Sequence, residues 1–208
     1  MQLINFGDSW AHGAHVGREH SYSNLIACNL GYDCIDFSVP STSIPGLLRQ
    51  FRNFLNSEYK QNQTYLALFF VTAKERQLLF DDAGQPTETW PQNDQEYYKK
   101  YYSDAQGDFV ANSTILCLQT MCKYYKIKSY FICGWQCLNL WPEIDKSQFY
   151  ANGNRCIAQE FGGVGDTPLQ DLIDQDHKQY LIHKNWHPSV EGHRLIADLI
   201  LHNLTTDQ

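Results

Sequence analysis

The chain has 208 residues, 43% of them hydrophobic, which suffices for one substantial globular domain and excludes a disordered chain. Its formal charge of −7 argues against nonspecific binding to a nucleic-acid backbone, which needs a basic surface. No apolar run is long enough to span a membrane, and the first residues read as a strand rather than a signal peptide.

Seven cysteines, at 28, 34, 117, 122, 133, 137 and 156, include no C-x-x-C pair, and most fall in apolar segments. They read as small hydrophobes in a reducing compartment, so the expected location is cytoplasmic.

In chain order, residues 2–6 predict a strand and 20–31 a helix that stops near Gly31. Asp33 to Phe37 predicts a second strand, followed by the Ser- and Pro-rich loop "SVPSTSIPG". A helix follows over 46–57, with Leu47, Leu48, Phe51 and Phe54 on one face. The near-continuous apolar run "TYLALFFVT", 64–72, suits a central strand buried on both faces. A polar insertion covers 74–93, and a long helix about 94–126, with Gly107 as its expected weak point. A strand over 128–134 precedes an irregular stretch, 135–180, whose "FGGVG" reads as a flexible loop because it lacks the strand-to-helix context of a phosphate loop. A final helix spans about 189–203. Strands alternating with helices predict an α/β fold, a parallel sheet covered on both sides.

Chemistry concentrates at the two ends. Gly7-Asp8-Ser9 follows the first strand directly. As a bare triplet it makes a turn, since Gly takes unusual dihedrals and Asp and Ser cap helices. It equally places a serine where open α/β sheets put their sites. A serine hydroxyl needs a base within reach, and His187, between Trp186 and Pro188 at the start of the last helix, is suited to the part.

"FGDSW" near the start and "HPSVEGHRLIADLI" near the end together resemble the SGNH, or GDSL-type, hydrolase superfamily. The order of elements between them fits as well, so the resemblance spans nearly the whole chain. It implies a flavodoxin-like three-layer α/β/α sandwich with a mostly parallel sheet, in a single domain over 1–208, and hydrolysis of esters, often of carbohydrates or lipids. It implies Ser9 as nucleophile and His187 as general base, with no cofactor.

The inner motifs depart from the family pattern. The glycine that donates an oxyanion N–H falls on Ser41, with Gly46 as an alternative in a less natural register. The asparagine expected after the central strand is Thr72, whose hydroxyl has one proton to donate. The expected oxyanion donors are therefore Ser9 N–H, Ser41 N–H and the Thr72 hydroxyl. Arg76, four residues on, is a candidate for the substrate pocket or for a surface salt bridge. The aspartate expected shortly before the histidine is missing: Lys184 and Asn185 stand there. Asn185 can orient an imidazole without neutralising it, Asp174 or Asp176 can replace the acid, or a Ser-His dyad works alone.

Six histidines, at 12, 15, 20, 183, 187 and 193, raise the question of a metal, but no ligand spacing such as H-E-x-x-H occurs, and none is expected. Trp10 adjoins the nucleophile and Trp186 the base, and Trp135 and Trp141 follow the strand at 128–134. Indoles stack on sugars, close over acyl chains or simply anchor loops. Trp10, Arg76 and Trp186 are the expected substrate contacts. The resulting expectation is a serine esterase for a small ester such as an O-acylated carbohydrate. The alternatives are an SGNH-fold binding module without the chemistry and a lipid acyl-ester hydrolase.

Overall fold

The computed structural model describes residues 1–161, 178–182 and 187–206. Four parallel strands form the central sheet: β1 (Gln2–Phe6), β2 (Asp33–Asp36), β3 (Tyr65–Val71) and β6 (Lys128–Cys133), in the order β2-β1-β3-β6. Every residue of β3 is buried, as its unbroken apolar run requires. Strand alternation divides its side chains. Tyr65, Ala67, Phe69 and Val71 enter one core with α2 (Ile44–Ser57) and α4 (Asp104–Tyr125). Leu66, Leu68 and Phe70 enter the other core with α1 (Tyr22–Leu30) and α6 (Val190–Thr206). The result is the three-layer α/β/α sandwich.

Adjacent strands stack one aromatic against the next on the first face. Ring centroids lie 4.8 Å apart for Phe6 and Phe69, 4.9 Å for Phe69 and Phe131, and 5.0 Å for Phe131 and Phe149. These distances are close to the spacing of neighbouring strands, so the ladder follows from the strand register itself.

Local signals set most helix ends. Ser21 caps α1, accepting from Asn24 N, and Gly31 closes it with φ 68°. Ser43 caps α2, which carries Pro45 in its first turn. The long helix expected over 94–126 is in fact two: α3 (Gln95–Lys100) and α4. The break falls at 101–103, where Ser103 caps a new helix by accepting from Gln106 N, and not at Gly107. Gly107 sits inside α4 because a Cβ there would come 2.4 Å from the Tyr102 hydroxyl.

The polar insertion holds a hairpin absent from the sequence reading, β4 (Gln77–Phe80) paired antiparallel with β5 (Pro86–Thr89). Its turn is made by Asp81, whose Oδ1 accepts from Ala83 N at 2.9 Å and Gln85 N at 2.7 Å. The irregular stretch contains α5 (Ile157–Glu160), and a short antiparallel pair, β7 (Leu181–Ile182) with β8 (His187–Pro188), leads into α6. Most of "FGGVG" lies outside the described residues. Among the described residues no helix is long and apolar enough to cross a membrane. All seven cysteines are free thiols.

Candidate active site

Because all four strands are parallel, their carboxyl ends meet at one edge, and the loops after them carry the candidate site residues. β1 runs into Gly7, whose φ of 155° is open to few other residues. A Cβ there would lie 2.5 Å from Ala11 Cβ and 2.8 Å from Phe70 Cβ, so the turn packs this tightly only with glycine. The peptide of Gly7 is clamped by one side chain from α2. Its N–H donates to Gln50 Oε1 and its carbonyl accepts from Gln50 Nε2, each at 2.8 Å. Gln50 Nε2 also donates to Thr42 Oγ1 at 2.8 Å, and Val39 N donates to Gly7 O at 2.9 Å, tying the loop after β2 to the same turn.

Asp8 is fully buried and joins three strand ends. Its Oδ1 accepts from Trp10 N at 2.9 Å, closing the turn around Ser9. Its Oδ2 accepts from the Thr72 hydroxyl at 2.9 Å, from Arg76 Nη1 at 3.1 Å and from Trp135 Nε1 at 3.4 Å. A buried carboxylate is tolerable because it is paired and fully hydrogen-bonded. Arg76 lies near two indoles, its guanidinium carbon 5.9 Å from the Trp90 ring and 6.0 Å from the Trp135 ring.

These contacts revise two expectations. Thr72, buried at the end of β3, commits its one proton to Asp8; it anchors the acid under the serine and is not free to donate to an oxyanion. Trp10, expected against substrate, is fully buried, its ring covered by Trp135 at 4.4 Å, Phe161 at 5.7 Å and Phe70 at 5.9 Å. It supports the site from beneath. Arg76 proves to be in an ion pair with a buried partner at the site, not on the open surface. Trp141 turns away, pairing with Phe109.

Ser9 is half-buried in the turn that follows β1. Ser41 takes φ 68°, the left-handed region that glycine occupies without penalty. Neither Ser9 N–H nor Ser41 N–H donates to another group among the described residues. His187 comes to the loop after Ser9: its ring centroid is 4.6 Å from that of His15, itself a non-glycine residue at φ 76°. Behind it His193 is buried, its Nδ1 accepting from Tyr22 N at 3.3 Å. Burial, reinforced by the nearby His187 and His20, pushes the His193 pKa down to about 4, so it is neutral. Asn185, Trp186, Asp174 and Asp176 lie outside the described residues.

On the other side of the turn, Glu88 of β5 accepts from Ser43 N at 3.0 Å, and its burial raises its pKa. Asp8, Gln50, Glu88 and Trp90 escaped the sequence reading. Only Asp8 had a local signal, its place inside the quoted triplet. A groove of about 910 Å³ that includes Lys123, Lys128, Glu143 and Asp145 opens at the amino end of β6, the opposite edge of the sheet. No group of three or more His, Cys, Asp or Glu among the described residues is placed to hold a metal.

No family model matches the chain, and no curated protein matches its sequence. Solved structures do. The psychrotrophic esterase EstA from Pseudoalteromonas sp. superposes with a TM-score of 0.54 at 12% identity, over 99% of this chain and 97% of that one. A member of the lipolytic protein G-D-S-L family from Veillonella parvula gives 0.50 at 14% identity, over 97% of each chain. A catalytic mutant of Axe2, an acetylxylan esterase from Geobacillus stearothermophilus, gives 0.51 at 14%, over 97% of this chain and 93% of that one. The fold is therefore that of the GDSL, or SGNH, hydrolases, as the two end motifs imply.

Proposed function

We propose that this chain is a serine esterase of the SGNH type acting on a small ester, with O-acylated carbohydrates as the favoured class. The observation that carries the reading is the pairing of Ser9, on a clamped turn at the carboxyl edge, with two backbone N–H groups, at 9 and 41, that donate to nothing among the described residues. Ser9 Oγ attacks the ester carbonyl while His187 takes its proton, and the tetrahedral oxyanion is held by Ser9 N–H and Ser41 N–H. The imidazolium returns the proton to the leaving alcohol. Water then attacks the acyl-enzyme by the same route, with His187 again as base, and frees Ser9. Asp8 and Thr72 position the turn and make no bond to substrate. Arg76, Trp135 and Trp90 form a wall beside it. Asn185 is the candidate to orient His187, as a neutral substitute for the usual aspartate. The carbohydrate class is favoured by the acetylxylan esterase among the proteins of the same fold.

The test is a fluorophosphonate probe followed by mass spectrometry, together with hydrolysis of 4-nitrophenyl acetate. The expected result is labelling at Ser9 and loss of turnover by several orders of magnitude in Ser9→Ala. Absence of labelling and of turnover on every ester tried favours the binding-module reading. Asn185→Asp is expected to raise turnover at pH 7–8; no gain, with a large loss on Asp174→Ala or Asp176→Ala, assigns the acid to that aspartate.

A further inference from the structure

A second polar cluster lies at the same edge, between β1 and β2. His12 Nδ1 is 3.1 Å from Asp36 Oδ2. Asp36 Oδ1 accepts from Asn5 Nδ2 and Ser38 N, each at 3.0 Å, and from the Ser38 hydroxyl. Arg18 Nε stands 3.7 Å from Asp36 Oδ2. With all its other neighbours donating, this carboxylate accepts from His12 Nδ1–H, which in the neutral imidazole makes Nε2 the acceptor. Nε2 has no hydrogen bond among the described residues, and the side chain keeps 29% of its exposure. Arg18, 64% exposed, offers donors beside it.

The cluster shares the turn that carries the nucleophile. His12 N donates to Asp8 O at 3.0 Å, so His12 lies on the same hydrogen-bonded turn as Ser9, three residues further on. Nothing in the chemistry at Ser9 uses His12, yet its tautomer is set by a carboxylate that Asn5, Ser38 and Arg18 hold in place.

We propose that His12, oriented by Asp36, is a specificity-determining subsite for a hydroxyl next to the scissile ester, with Arg18 donating to that hydroxyl or to its vicinal neighbour. The ligand class is the polyhydroxylated alcohol half of the substrate, a sugar or similar polyol. A fixed acceptor beside a cation suits a hydroxyl, which donates and accepts at once. An alkyl alcohol would leave Nε2 desolvated and unpaired. The assignment rests on the esterase reading for its meaning, but the binding it predicts does not require turnover.

Two measurements test it. In Ser9→Ala protein, the imidazole resonances of His12 are followed by NMR during titration with methyl β-xyloside, and saturable shifts at His12 are expected. In the parent, the ratio of kcat/KM for a mono-O-acetylated methyl xyloside over 4-nitrophenyl acetate is compared with that of His12→Phe and His12→Gln, each first shown to be folded by circular dichroism. His12→Phe should lower the ratio about ten-fold, mainly through KM for the glycoside, and His12→Gln, which keeps an acceptor oxygen, should restore part of it. Unmoved His12 resonances, a ratio within two-fold of the parent in His12→Phe, or an equal loss on both esters overturns the subsite. Shifting resonances in a protein whose Ser9 is never labelled keep the subsite and overturn the esterase; a labelled Ser9 with an unmoved ratio does the reverse.

Discussion

Replacing Asp8 by asparagine is the sharpest probe of how the nucleophile turn is held. The substitution keeps the shape and the Oδ1 contact to Trp10 N, but turns an acceptor of three donors into an amide nitrogen facing Thr72, Arg76 and Trp135. Removing one partner of a buried pair costs about 3–5 kcal/mol. Arg76 keeps 21% side-chain exposure and can rehydrate, so the ion-pair part belongs at about 2 kcal/mol. Trp135, which can only donate, is left opposed and adds roughly 1 kcal/mol, whereas the Thr72 hydroxyl turns to accept from the new amide. The single variant is thus expected to lose about 3 kcal/mol, Arg76→Gln about 2, and the double variant about 3, a coupling of about 2 kcal/mol. Urea denaturation of the four proteins, read at unchanged m-value, supplies the cycle. Additivity within about 0.5 kcal/mol would refute the view that Asp8 and Arg76 are energetically one unit.

Further outcomes follow from three single positions. His193, with its pKa lowered from 6.5 to about 4, stays neutral in the folded protein while the unfolded chain takes up a proton below 6.5. Stability should therefore fall as pH drops through that window, by about 2 kcal/mol between pH 7 and pH 5, and a parallel pH dependence in His193→Gln by chemical denaturation would sink the assignment. Ser41→Gly relieves roughly 1–2 kcal/mol of left-handed strain at φ 68° and concedes about 0.5–1 to the unfolded chain, so the melting temperature should hold or rise slightly with turnover kept. Ser41→Pro removes the N–H and cannot take that φ, so turnover on 4-nitrophenyl acetate should vanish. Gly7→Ala forces a Cβ to 2.5 Å from Ala11 Cβ and should cost more than about 3 kcal/mol; a thermal melt close to the parent's would contradict the packing described for the turn.

The four strands of the central sheet and most of the helices can be read along the chain, because they depend on neighbours. The period of β3, the Ser21 and Ser43 caps and the glycine at 31 are each decided within a few residues of themselves. The break between α3 and α4 was equally local, through Ser103 as a cap, but the run of apolar positions on either side outweighed it. The hairpin at 77–89 escaped because its short, half-exposed strands have no apolar period and its turn rests on a side chain, Asp81.

Partners distant in sequence were decided only by the tertiary structure. Asp8 meets Thr72 after 64 residues and Trp135 after 127, and His12 meets Asp36 after 24. Parallel strands joined through helices bring such residues to one edge with no repeat or spacing to announce it. Thr72 illustrates the difference. Its place at the end of the central strand follows from the sequence, and so does its single hydroxyl proton. Which acceptor receives that proton depends on the burial of Asp8 beneath Ser9, where an unpaired carboxylate would be too costly to keep.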